Sequence, residues 1–251
     1  MSQSGRKGRP LLASNRSNNI SEYSGSIDPR NISYENYLEK AGIYMDNFDK
    51  AGPTSESSLL CDSMLLGYQN PPVGSIFAGD NFTSNCHRLR NRNEAMVLRD
   101  ITPLLVPSVE FLKRCSIGEI NNILREEINT SWAKVRPLVN GSTPQPNLTQ
   151  AFAKFAFSQS QLDRLQLFED NFMRTRFMAT DSLYFPFLTC EVKCGQQCLN
   201  IADRQNAYNG AIAVGSVVRL FKAISKVEVL HGQVLSFSVS HDNETVRIYA
   251  H

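Results

Sequence analysis

The chain has 251 residues, of which 41% are hydrophobic and 20% charged, and its formal net charge is +2. That balance predicts a globular protein with one sizeable core, and it does not demand a polyanionic partner. No apolar run approaches the length of a bilayer span, and the opening MSQSGRKGRPLLASNRS lacks the apolar core of a secretory signal. An intracellular protein is therefore expected, with a nuclear location open to it and no membrane partner.

Residues 1–30 are rich in Ser, Asn, Gly and Arg and cannot bury enough surface to offset their ordering entropy, so they read as a disordered basic tail. Within it RKGRP, carrying Arg6, Lys7 and Arg9, has a Gly-Arg-Pro core like that of a minor-groove AT-hook. A generic basic tail or nuclear localisation signal is the competing reading. Residues 31–85 form an N-terminal helical or irregular extension. In it SYENYLEKAGIYMDNF is a helix with Ser33 as cap, while the pattern of SLLCDSMLLGY fixes no conformation.

The main domain is expected over 86–251. NRNEAMVLRDITPLLVPSVEFLKR is helical, capped by Asn93 or Asn91 and kinked or ended at Pro103 and Pro107. IGEINNILREEINTSWAKV reads as a second amphipathic helix, with Ile117, Ile120, Leu124, Ile128 and Trp132 towards the core. After the turn NGSTPQPN come a strand or extended piece, LTQAFAKFAF, a short helix, SQSQLDRLQLF, and the strand FPFLTCEVKCG. NIADRQNAYNGAIAVGSVVRLFKAISK is the longest periodic helix, and QVLSFSVS with VRIYAH closes the chain as a hairpin around DNET. The order predicts an α/β (α+β) protein with a central mixed sheet flanked by helices.

The strand Phe185 to Gly195 carries the most chemistry. Side chains alternate along a strand, so Glu191 and Lys193 share a face, and the apolar residues before them mark a central strand covered on both sides. Charges at the end of such a strand are costly unless used or paired. A solvated surface pair is the alternative. Gln205 falls on the apolar stripe of the longest helix, where a buried amide requires partners, Glu191 and Lys193 among them, unless it merely caps neighbouring backbone. Six cysteines are present, and they read as reduced thiols; Cys190, Cys194 and Cys198 lack the C-x-x-C pairing and nearby histidine of a zinc site.

The series RNEAMVLRDITPLLVPS, PQPN, FPFLTCEVKCG, IADRQNAYNGAIAV and GQVLSFSVSHDNETVRIYAH resembles an uncharacterised domain family widespread in fungal proteins and related to the PD-(D/E)XK, or restriction-endonuclease-like, nucleases. The resemblance covers roughly 34–251. It implies a restriction-endonuclease-like core in which Glu191 holds Mg²⁺ or Mn²⁺ and Lys193 orients or deprotonates water. Gln205 then orients the lysine or the water, and Glu94, on the first core helix, completes the pocket. A helix-start glutamate at the macrodipole is the other reading of Glu94. The resemblance expects Pro-Asp where this chain has Pro146-Asn147, so Asn147 would be a ligand with weaker charge neutralisation, and Asp181 is the candidate replacement. Arg88, Arg90 and Arg92, with Arg99, are candidate phosphate contacts beside Glu94, with a solvated arginine face as the alternative. The family continues where this chain stops at His251, which implies a shortened, less stable final edge. The expectation is a metal-dependent nucleic-acid phosphodiesterase, on DNA ahead of RNA. The alternative is a catalytically inactive nuclease-fold module that binds nucleic acid or protein.

Overall fold

The computed structural model describes residues 28–45, 52–67, 81–115, 122–138, 143–168, 175–195 and 197–251. They form a mixed α+β fold around one five-stranded sheet ordered β1-β2-β3-β4-β5: Leu124–Ile128, Leu148–Ala153, Leu183–Val192, Phe237–His241 and Val246–Ala250. β1, β2 and β3 form an antiparallel meander, β4 joins β3 in parallel, and β5 returns antiparallel to β4. A parallel neighbour requires a crossover, and the 25-residue helix α8, Leu199–Ala223, supplies it.

Before the sheet run α1 (Tyr34–Lys40), α2 (Ser55–Leu66), α3 (Asn81–Leu89), α4 (Glu94–Asp100), α5 (Thr102–Leu105) and α6 (Val109–Arg114). The helices α4, α5 and α6 replace one continuous helix because Pro103 and Pro107 lack the N–H that an α-helical ladder needs. Asn93 starts α4, its side-chain oxygen accepting the Met96 N–H at 3.1 Å. Between β2 and β3 lies α7, Gln159–Gln166, opened by a reciprocal capping box of Ser158 and Gln161.

One expected helix is a strand. Residues 124–128, read as part of an amphipathic helix, form edge strand β1, and Ile128 is 53% exposed rather than core-facing. Tertiary partners override the local pattern here. Glu126 accepts from the Ser108 hydroxyl and the Val109 N–H at the start of α6, while Glu127 accepts from Thr180 and Ser182. Trp132, expected in that helix, is buried beyond the strand and donates its indole N–H to Thr149 Oγ1 at 3.1 Å.

The sheet is covered on both faces. On one, Cys190, Val192, Leu148 and Val239 pack against Leu89, Val97, Ile101 and Val106 of the α3 to α5 region. On the other, Ala207, Tyr208 and Ile212 of α8 pack with Trp132, Ala151, Leu183 and, from α1, Tyr34 and Leu38. Burying each such large side chain contributes roughly 1.5–3 kcal/mol, enough to hold α8 in register over the sheet. The final residue is built in: His251 pairs through its backbone with Ser236, and its ring packs against Gly210, where even a Cβ would sit only 2.6 Å away.

Candidate functional site

The period-2 alternation of β3 decides which chemistry faces which layer. Cys190 and Val192 enter the apolar cluster under α4, while Thr189 and Glu191 turn towards α8. Glu191 is the last acid of the strand and sits in a regular ladder, opposite Ser240 of β4. Lys193 lies just past the strand and continues the pairing by donating its N–H to His241 O at 2.9 Å. Glu191 is 2% exposed and Lys193 5% exposed, so they are not a solvated surface pair.

Burial raises the Glu191 pKa to about 7; the Lys193 ammonium and an Asn209 hydrogen bond pull it down, and the Glu94 carboxylate pushes it up. Asn209 Nδ2 donates to Glu191 Oε1 at 2.9 Å. Lys193 Nζ donates to its neighbour's carbonyl, Val192 O, at 2.8 Å and lies 3.9 Å from Glu94 Oε1. Glu94 reaches this point because it opens α4, the helix packed over β3.

A cavity of ≈ 690 Å³ brings together five of the residues singled out from the sequence: Glu94, Asn147, Glu191, Lys193 and Gln205. Gln205 faces the cavity with its Oε1 buried and without a hydrogen-bond partner among the described residues. An orphaned amide oxygen beside a buried carboxylate and a second, half-buried one is a donor set that suits a hard divalent cation. No group of three or more His, Cys, Asp or Glu with metal-binding geometry occurs among the described residues, so amide oxygens would have to complete any such site.

Asn147 stands at the entry to β2 and is already engaged. Its Oδ1 accepts the Val192 N–H at 2.7 Å, and its Nδ2 donates to Asn129 Oδ1 at 3.0 Å. The residue therefore ties β2 to the end of β3 while lining the cavity, and its Oδ1 has capacity for a second bond.

Asp181 does not join this arrangement. It is 84% exposed at its side chain and pairs with Lys134 at 3.0 Å. It precedes a ten-residue strand whose far end carries Glu191, and at ~3.3 Å per residue that places the two carboxylates on the order of 30 Å apart. The arginine row is likewise elsewhere: Arg88 and Arg99 both bond Asp100, and neither they nor Arg90 and Arg92 line the cavity. Arg6, Lys7 and Arg9 lie outside the described residues. The six cysteines are free thiols.

Two residues of the site escaped the sequence reading. Asn209 follows Gln205 by four positions and so shares its helix face, a signal present in QNAYN. Its neighbour Asn206 is fully buried, accepting from Thr189 Oγ1 at 2.9 Å and donating to Val239 O and Ser240 Oγ. These bonds fasten α8 to β3 and β4 and fix where Gln205 and Asn209 point.

A family model described as a domain of unknown function, DUF7924, matches residues 81–251, which hold the whole sheet, α8 and each of the five converging residues. No curated protein matches the chain, and no solved structure does. No helix among the described residues is long and apolar enough to cross a membrane.

Proposed function

The chain belongs to the DUF7924 family, and on that premise we propose that its cavity is the site of a divalent-metal-dependent phosphodiester hydrolase acting on nucleic acid, of the PD-(D/E)XK kind, with a weakened metal centre. The observation that carries the reading is the convergence of Glu191, Lys193, Glu94, Gln205 and Asn147, scattered over 112 residues of sequence from 94 to 205, on one cavity at the end of the central strand.

Glu191 and Glu94 would hold Mg²⁺ or Mn²⁺, with the Gln205 and Asn147 side-chain oxygens as neutral donors. When bound, such a cation supplies Lewis acidity and charge neutralisation to a phosphodiester. The protein's own groups supply the rest. Lys193 keeps its ammonium at the cavity by donating to Val192 O and stands 3.9 Å from Glu94 Oε1, where it can donate to and orient a water. Asn209 holds the Glu191 carboxylate by one oxygen and leaves the other towards the cavity. Gln205 offers an acceptor that can orient a water or the lysine. Burial of the strand end lowers the local dielectric, which strengthens each of these interactions.

A second reading has its own support. Asn147 is doubly hydrogen bonded as a structural amide, so the protein can keep the fold and bind nucleic acid or a protein without hydrolysing anything. Calorimetric titration with Mn²⁺ and Mg²⁺ separates the two. Millimolar or tighter binding that is lost in Glu191→Gln and strengthens about tenfold per pH unit below pH 7, where the proton competes for Glu191, supports the hydrolase. Absence of binding at millimolar metal leaves the binding module.

A further inference from the structure

Resting on the nucleic-acid reading of the site, we infer that Arg30, carried to the cavity by the N-terminal extension, is a phosphate-contacting residue for the substrate, and that the functional site therefore reaches beyond the family-matched residues. Asp28, Pro29 and Arg30 line the same cavity as Glu191 and Lys193. Among the described residues lining it, Lys193 and Arg30 are the two cations, against the acids Asp28, Glu94 and Glu191. Lys193 is buried and its ammonium already donates to Val192 O. Arg30 is different. Its side chain is 76% exposed and, among the described residues, pairs with Asp28 alone, at 3.8 Å, an exposed contact too long to commit the guanidinium. A polyanion entering an otherwise acidic mouth therefore meets Arg30, whose fork of N–H donors matches a phosphate.

The placement of Arg30 is fixed rather than incidental. Arg204 of α8, buried beside Gln205 in sequence, donates through its guanidinium to Glu35 Oε1 at 2.7 Å and to Pro29 O at 3.2 Å. Asp28 Oδ1 accepts the Arg30 N–H at 2.9 Å, and Tyr34 and Leu38 of α1 are buried in the cluster with Trp132 and Tyr208. The segment is thus held on both sides of Arg30. It occupies the place that the sequence assigned to Arg88, Arg90 and Arg92, which do not line the cavity.

The test is fluorescence anisotropy of a short labelled DNA duplex with the full chain in a metal-chelating buffer, across a series of salt concentrations. Wild type binds, and Arg30→Ala weakens binding roughly fivefold while lowering the slope of log K against log salt by about 0.9, the signature of one lost phosphate contact. Arg30→Lys restores the slope, and calorimetric Mn²⁺ affinity is the same in all three proteins. An unchanged slope in Arg30→Ala, or a fall in its Mn²⁺ affinity that marks a disturbed site, overturns the inference while leaving the nucleic-acid reading intact. Failure of the wild type to bind the duplex both in chelator and with Ca²⁺ supplied in its place overturns the nucleic-acid reading itself, and the role of Arg30 with it.

Discussion

The two ends of β3 solve opposite problems with one strand. At its start, Tyr184 and Phe185 enter a cluster of rings with Phe157 and Phe177, at centroid separations of 5.4–5.9 Å. The backbone there is irregular: Phe185 has φ 47°, and the β2 register shifts between Gln150, opposite Leu188, and Phe152, opposite Tyr184. A left-handed, non-glycine residue costs roughly 1–2 kcal/mol, which close packing of aromatic surface readily offsets. At its finish, Thr189 to Val192 pair without a break to β4, and Asn206 and Asn209 bond the strand's polar side chains directly. Apolar contact is non-directional and tolerates a bent strand, whereas a buried carboxylate requires its partners at hydrogen-bond distance. One end is held by ring packing, and the other combines the apolar cluster under Cys190 and Val192 with directional chemistry on its opposite face.

The largest expected effect probes whether the ends are separable. Phe177 is buried among the rings, and Phe177→Ala should cost about 4 kcal/mol of unfolding free energy through lost transfer and a residual cavity. Chemical denaturation measures that loss, and calorimetry on the folded variant should return the wild-type Mn²⁺ affinity. A large fall in metal affinity without unfolding would mean that the aromatic end also positions the site.

The next effect concerns the charged end and has a definite sign. The folded-state pKa of Glu191, about 7, lies above its ordinary value of 4.5 because burial disfavours the carboxylate. The folded protein therefore holds the proton more tightly than the unfolded chain does. Its contribution to stability is fully present below about pH 4.5 and is lost as pH rises through 7. In metal-free buffer the loss is on the order of 3 kcal/mol. Glu191→Gln removes that dependence and should be more stable than wild type above pH 7, since Lys193 keeps Val192 O and Glu94 as partners. Parallel urea titrations near pH 5 and pH 8 measure it; identical pH dependence in the two proteins would show that Glu191 is not strained when ionised.

The same contrast explains what could be read from the sequence. α8 and β3 were legible because their periods are long and their faces uniform: alternation put Glu191 and Lys193 on one side, and the helical stripe put Gln205 opposite. The terminal hairpin was legible from alternating Leu235, Phe237 and Val239 and the turn after them. β1 was not, because Leu124 and Ile128 are spaced like a helix, and the residues that make it a strand are Glu126 and Glu127, bonded to partners distant in sequence. Arg30 was missed for the same reason. It sits at the boundary of a basic, polar stretch, and only its anchoring by Arg204 and Glu35 brings it to the cavity. Asp181 looked available because sequence distance from Glu191 is short, yet an extended strand converts ten residues into full separation.

The smallest effect falls on Asn147, the residue that joins the ordered end of β3 to β2. An aspartate there can still accept the Val192 N–H, as the asparagine does at 2.7 Å. Its other oxygen would face Asn129 Oδ1, which now accepts from Asn147 Nδ2 at 3.0 Å. Asn129 is exposed and its amide can rotate to donate instead, so the swap is tolerated at a cost of about 1 kcal/mol, mostly repulsion from Glu191 across the cavity. The same repulsion makes the site more attractive to a cation. Asn147→Asp should therefore tighten Mn²⁺ and Mg²⁺ binding about tenfold in calorimetry, equal to ~1.4 kcal/mol, and the metal should more than restore the lost stability. Phosphodiester cleavage should rise with it only if Lys193 and Gln205 stand ready, so comparing the two readouts separates a missing ligand from a missing catalytic geometry. If the variant binds no more tightly than wild type, Asn147 is a structural tie between strands, and Glu191, Glu94 and the Gln205 oxygen remain as the donors to a cation.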